Sequence, residues 1–225
     1  VLTTLVRLLT FRLDAAGYAA LGLREARVGL VLAWIAGIGR YWDHPTAGLA
    51  QKSGVGSVVY VLLLSALLWL VLRPMGTHRR AYWNVAAMVG MSSPLAWLYA
   101  LPVERWTDVQ TAIDLNIAFL AVVAVWRVLL YARYLKVGCS LNWIPAAVCT
   151  LLPLCAIVTA LMALNLEQAV FDLMGGLQRR EGPGERVIDE TYGVVVNITF
   201  FSWLAVLPLL IAYGFAIWRV ESARR

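Results

Sequence analysis

Val55–Leu72, VGSVVYVLLLSALLWLVL, contains no Asp, Glu, Lys or Arg. It is nearly as long as the ~20 residues a helix needs to cross a bilayer. Three further stretches, residues 81–103, 137–166 and 191–218, are equally free of charge. A soluble domain of this length does not hide several such runs. The spacing therefore predicts an all-α protein, a polytopic transmembrane helical bundle.

Composition agrees. Of the 225 residues, 61% are apolar and 14% charged, against ~25% charged in ordinary soluble domains. The net charge of +6 sits mainly in short connections. Topology accounts for it, so nucleic acid is not an expected partner. No A-x-A-like cleavage site follows the short apolar run near the start, so no cleavable signal peptide is expected.

Six spans are expected, at about Val28–Trp42, Val55–Leu72, Ala81–Leu101, Ile113–Tyr131, Ile144–Leu164 and Val194–Trp218. Pro94 should kink the third, and Pro153 and Pro208 fall inside the fifth and sixth. Neighbouring helices and Ser/Thr side chains can satisfy the carbonyls that proline frees, the role expected of Ser92 and Ser93. The first span is short, about 22 Å at 1.5 Å per residue, and a re-entrant hairpin is its alternative. Charge decides between them. With six spans and the N-terminus inside, 12 Lys/Arg face inward and 6 outward, with Arg127 inside the fourth span. Losing the first span removes that bias. The positive-inside rule then places both termini in the cytoplasm. Short loops and an economical chain point to a bacterial inner (plasma) membrane.

Residues 1–25 form an N-terminal interfacial helix and connector, residues 26–220 the bundle and residues 221–225 a short cytoplasmic tail. Within 2–12, Leu2, Leu5, Leu9 and Arg12 recur at helical spacing. This predicts an amphipathic helix along the inner surface, with Arg7 and Arg12 toward headgroups, or packed on a partner subunit. In the last outer connection, residues 165–177 are expected to form an interfacial helix and residues 178–190 a solvated turn around Gly182-Pro183-Gly184. Trp42, Trp83, Trp106, Trp143 and Trp218 fall near span ends, where indole prefers the headgroup region. Trp34, Trp97 and Trp203 lie nearer mid-span and read as packing residues. Cys139, Cys149 and Cys155 read as small apolar side chains, not a disulfide or metal set.

One polar constellation faces outward. Arg40, Tyr41, Trp42, Asp43 and His44 lie in the first connection; Glu104, Arg105, Trp106 and Asp108 lie in the third; Asp114 and Asn116 open the fourth span. If residues 104–116 are helical, Glu104, Asp108 and Thr111 share one side. Asp114 then sits just inside the hydrocarbon region, where an ionisable residue is a functional candidate by default. Three readings are open. Arg40 and Arg105 could neutralise Asp43, Glu104 and Asp108 in an ion-pair and cap network. The group could line a cavity binding a small molecule or lipid headgroup, with Arg40, Tyr41, Trp42, Arg105, Trp106 and Asn116 as contacts. Or Asp43, His44, Glu104, Asp108 and Asp114 could be catalytic, with His44 and a carboxylate as an acid/base pair or holding a divalent ion. No metal motif, nucleophile elbow or paired-aspartate motif is present, so no metal is assigned and no cofactor is named. The expected partners are the lipid bilayer, and other membrane subunits or a lipid headgroup. The leading function is a non-enzymatic scaffold, assembly factor or accessory subunit. The alternative is a membrane-embedded enzyme, a small-molecule or lipid-binding protein or a transporter using the outward cluster.

Overall fold

A computed structural model of the chain describes residues 1–39, 53–76, 81–101, 103, 106–164 and 185–222. All the regular structure among them is helical. The α-helices are α1 Leu2–Leu9, α2 Ala15–Ala19, α3 Leu23–Gly39, α4 Val55–Leu72, α5 Tyr82–Met91, α6 Val109–Arg133, α7 Trp143–Ala163 and α8 Glu185–Ser222. Tight 3₁₀ segments follow α4 (Arg73–Met75) and α5 (Ser93–Ala100), and α6 runs on into a π-turn, Tyr134–Gly138. Four segments are long and apolar enough to cross a membrane: Val55–Met75, Asp114–Gly138, Trp143–Leu161 and Asn197–Ser222. The chain is an integral membrane protein on that ground.

The core is built around α5. Every residue from Asn84 to Met91 is buried, so beyond the first turn, where Trp83 is 40% exposed, this helix has no outer face. Such all-round burial marks a central post rather than an amphipathic surface helix. α3 and α4 pack on α5 and on each other, and the 3₁₀ segment that continues it lies against α3 and α6. α3 meets α5 glycine on glycine. A methyl built on Gly29 would lie 2.7 Å from the Gly90 carbonyl carbon and 2.8 Å from its Cα. Small residues let membrane helices meet backbone to backbone in this way. A second such contact joins Gly37 to Gly54, whose φ of +73° starts α4.

The proline at 94 does more than kink its helix. The α-helix stops at Met91 and the chain continues as eight residues of 3₁₀ helix. That exceeds the three or four residues usual for 3₁₀. The Ser92 hydroxyl donates to the Val89 carbonyl at 2.7 Å, which also accepts the Ser92 N–H at 3.2 Å; it closes the end of α5 rather than serving the Gly90 carbonyl that Pro94 frees. Pro153 and Pro208 are accommodated within continuous α7 and α8.

Two sequence expectations need correction. Residues 185–190 are not part of a solvated turn but the first turns of α8. Glu and Arg are good helix formers, and the apolar stretch that follows supplies the nucleus onto which they extend. Trp34, Trp97 and Trp203 are not buried packing residues: they are 45%, 43% and 64% exposed. Trp203 has the least cover. It lies on α8, which packs on α7 and touches the rest of the bundle chiefly through the Arg73–Met75 turn. Almost none of its apolar span is buried. Residues 165–177, the expected loop helix, lie outside the described residues, as do residues 40–42 at the expected end of the first span.

The N-terminal segment is part of the same core. Leu8, Leu13, Tyr18 and Leu21 are buried together with α5 residues. α1 keeps Leu2 and Val6 outward, 75% and 53% exposed, while Val1, Leu5 and Leu9 pack inward.

Candidate functional site

Of the outward constellation, Arg40, Tyr41, Trp42, Asp43, His44, Glu104 and Arg105 lie outside the described residues. Trp106, Asp108, Asp114 and Asn116 are described. Residues 104–116 do not form one helix: Trp106 and Thr107 are in a turn, and α6 begins at Val109 with Asp108 as its cap. The Asp108 carboxylate accepts from the Thr111 N–H at 3.1 Å and from the Thr111 hydroxyl at 2.8 Å. Asp is among the preferred N-caps because it satisfies amides that have no partner within the helix. That competition for local bonds is why the helix starts after Asp108 rather than running through it. Trp106 is 69% exposed. Asp114 is exposed on α6 and Asn116, two residues on, is half-buried. Asp108→Ala is expected to lower stability by about 1 kcal/mol, read as a drop in melting temperature in detergent; Asp108→Asn, which can still cap, should be near wild type. Equal losses for the two would remove the capping role.

The opposite end of the bundle holds a more developed polar site that the sequence reading did not single out. Asn84, 4% exposed, donates from its side-chain nitrogen to the Tyr18 carbonyl at 2.7 Å and the Leu21 carbonyl at 2.8 Å. Its side-chain oxygen accepts from the Tyr134 hydroxyl at 2.7 Å. One amide thus ties together the N-terminal segment, α5 and the π-turn. The amide orientation follows from this network, since only a nitrogen can donate to both carbonyls.

Three tyrosines cluster at this junction. The Tyr18 and Tyr134 rings meet edge to face with centroids 5.6 Å apart, and Tyr131 stacks on Tyr134 at 6.3 Å. The π-turn makes room for them. Its wide hydrogen bond, Cys139 N–H to Tyr134 carbonyl at 2.9 Å, displaces Tyr134 from the regular α register, and π-turns often mark functional positions. Gly138 lies close beneath it: a methyl there would sit 3.0 Å from both the Tyr134 ring and the Tyr18 Cβ, so each would have to shift slightly. Two non-glycine residues with left-handed backbone, Phe11 (φ 59°) and Ser140 (φ 55°), flank the same junction. Such conformations are uncommon and persist where surrounding contacts hold them.

Burial pushes the Tyr18 phenol up from its usual range, while the nearby positive charge of Arg133 pulls it down. The upward push dominates, so Tyr18 is a neutral phenol at physiological pH. Its hydroxyl lies near Arg133 and is buried without a well-formed hydrogen bond among the described residues. Arg133 instead donates to the Leu13 carbonyl at 3.3 Å, and the Trp126 indole donates to the Leu9 carbonyl at 3.0 Å. Those two bonds come from α6 residues seven apart, about 10 Å of helix rise. The chain from Leu9 to Leu13 therefore runs alongside the last two turns of α6.

The signal for this site was present in the sequence. Asn84 is the sole amide in the run YWNVAAMVGM, and Tyr131 and Tyr134 are three apart. What could not be read was that the π-turn and residues 18–21 converge on Asn84. Among the described residues, no three His, Cys, Asp or Glu side chains gather as a metal set would require. No family model, curated protein or solved structure matches the chain.

Proposed function

We propose that this chain is a six-crossing protein of a bacterial inner membrane, with both termini cytoplasmic, acting as a scaffold, assembly factor or accessory subunit of a membrane complex. The four long apolar helices are joined in this reading by α3, 17 residues and about 25 Å long, and by α5 with its 3₁₀ continuation, about 31 Å together. Both lengths are near the ~30 Å hydrocarbon core. The ends alternate so that Arg24, Arg27, Arg73, Arg133, Lys136 and Arg219 gather on one side, which is the cytoplasmic one by charge. α1 is then an interfacial helix on that side.

The observation that carries the scaffold reading is how the polar groups of the interior are used. The Ser65, Ser92 and Thr150 hydroxyls each donate to a carbonyl of their own helix or turn, and Asn84 is bonded on both sides. Most of the interior polar groups described bond within the bundle, the Tyr18, Tyr131 and Thr159 hydroxyls being buried without a partner among the described residues, while α8 turns Phe200, Phe201, Trp203, Leu207 and Ile211 away from the core. A filled interior with one aromatic-rich outer helix suits assembly better than passage of a substrate.

The test is purification from native membranes in mild detergent with a photo-crosslinking residue at position 203. The expected result is one crosslinked partner of fixed stoichiometry, lost when Phe200, Phe201 and Trp203 are changed together to leucine, with the chain's own melting temperature unchanged. If no stoichiometric partner is captured, or the triple variant keeps it, the scaffold reading fails. Reporter fusions after residues 76 and 106 check orientation: the first should report cytoplasm and the second the outside.

A second reading is favoured by Asp114, an exposed carboxylate where the apolar span of α6 begins. It makes the outward cluster a binding or catalytic site. It predicts that Asp43→Asn, His44→Ala or Asp114→Asn abolishes function at normal expression; three variants indistinguishable from wild type would sink it.

A further inference from the structure

A pocket of about 150 Å³ lies between α1, α2 and the start of α3, lined by Thr3, Thr4, Arg7, Asp14 and Glu25, with Leu13 among its apolar residues. Its size is well above the ~10–15 Å³ that a single water needs. The chain reverses to form it: the Arg7 carbonyl accepts from the Arg12 and Leu13 N–H groups at 2.7 and 3.0 Å, bringing Asp14 back toward α1. Asp14 then accepts from the Gly17 N–H at 2.9 Å and Glu25 from the Gly22 N–H at 3.1 Å, each through one oxygen.

The charges lining this pocket are opposite in sign yet do not pair. Arg7 forms no ion pair with Asp14 or Glu25, and the second oxygen of each carboxylate carries no bond to another described residue. A simple anion at Arg7 would be repelled by two carboxylates, and a simple cation between the carboxylates would be repelled by Arg7. A ligand carrying both signs satisfies all three. The guanidinium fork and the threonine hydroxyls suit phosphate oxygens. The two free carboxylate oxygens suit an ammonium with several N–H donors, which a trimethylated nitrogen lacks. Leu2 and Val6, exposed on α1 beside the pocket, offer an apolar surface to acyl chains.

We propose that this pocket binds the phosphoethanolamine headgroup of a membrane phospholipid. The lipid as source rests on the reading that this end of the bundle lies at the bilayer surface; the headgroup chemistry does not.

The test uses the full chain in nanodiscs. Wild-type protein is reconstituted with phosphatidylethanolamine, phosphatidylcholine and phosphatidylglycerol in equal amounts, and retained lipid is counted by native mass spectrometry. Phosphatidylethanolamine should be retained about tenfold over either competitor, the discrimination expected of one charge-assisted hydrogen-bond set. Arg7→Gln and Glu25→Gln should each abolish the preference with an unchanged melting temperature in phosphatidylcholine. Should Glu25→Gln lower that temperature, Arg7→Gln decides, since its side chain is exposed and unpaired. Equal retention of the three lipids, or preference surviving in Arg7→Gln, overturns the lipid proposal. Soluble glycerophosphoethanolamine raising the melting temperature of wild type but not of Arg7→Gln in phosphatidylcholine discs supports the headgroup chemistry even if this end lies away from the bilayer. No response to it together with no lipid preference removes the site altogether.

Discussion

Asn84→Leu is expected to destabilise the protein by about 3 kcal/mol and to release the N-terminal segment. Leucine keeps the branched shape but is bulkier at a site only 4% exposed, so overpacking adds to the loss of the bonds. It leaves the Tyr18 and Leu21 carbonyls and the Tyr134 hydroxyl buried without the partner each has now. An orphaned buried polar group costs about 1–3 kcal/mol. Hydrogen bonds between helices in lipid average nearer ~0.6 kcal/mol, because the unfolded chain in the membrane also finds partners. The larger figure governs here: the groups lie at a protein-packed junction, and three bonds are lost at once. Asn84→Asp should be at least as damaging, because it sets a carboxylate against two carbonyls that need donors. Tyr134→Phe removes one bond and should cost about 1 kcal/mol, with little further loss when combined with Asn84→Leu.

Trypsin gives an independent readout. Arg7, Arg12 and Arg24 bracket the segment that Asn84 holds. When cleavage follows the open population, each 1.4 kcal/mol lost speeds cutting tenfold. Asn84→Leu should therefore be cut at Arg12 more than a hundredfold faster, with the remaining helices intact. A variant that resists trypsin as wild type does would show that the apolar contacts of Leu8, Leu13 and Tyr18 hold the segment without the amide.

What was legible in the sequence follows from the kind of signal each feature leaves. Absence of charge is local, so α4 was readable to the residue and α7 to within one or two. α3 and the α5 region were located but their form was not. The start of α3 at Leu23 includes Arg24 and Arg27, exposed or lipid-facing cations that a search for apolar runs cuts away. A long 3₁₀ continuation leaves no mark beyond Ser-Ser-Pro, which predicts a kink equally well. Asp108 was read as one face of a helix because spacing alone does not distinguish a helix interior from its cap. The node at Asn84 is nonlocal: its partners are 50 to 66 residues away. A single amide in an apolar run announces that a partner exists but not which one.

Gly29→Ala should be among the most damaging of the small substitutions, and its ranking against Gly90 and the open glycines tests the helix crossing. A methyl on Gly29 would meet Gly90 backbone at 2.7–2.8 Å, whereas one on Gly90 would meet Gly29 backbone at 3.0 Å. Backbone cannot step aside as a side-chain end can, so α3 and α5 must separate. Separation affects more than one contact, because α5 is buried on every side beyond its first turn and α4 packs on both helices. Overpacking of this kind costs about 1–3 kcal/mol, and Gly29→Leu, with three more carbons in the seam, should exceed that range or prevent folding. Gly56 and Gly214 provide the controls. A methyl on either meets nothing within 4 Å, so Gly56→Ala and Gly214→Ala should leave stability unchanged or raise it by up to about 1 kcal/mol through helix propensity. Unfolding in graded SDS would resolve the expected order, with Gly29→Ala below Gly90→Ala and both below the controls. If Gly29→Ala matched Gly214→Ala, the two backbones could not be in contact at this crossing. The glycine pair and the Asn84 network fail in separable ways. Loss of the crossing loosens the whole bundle, whereas loss of the amide frees its N-terminal segment first.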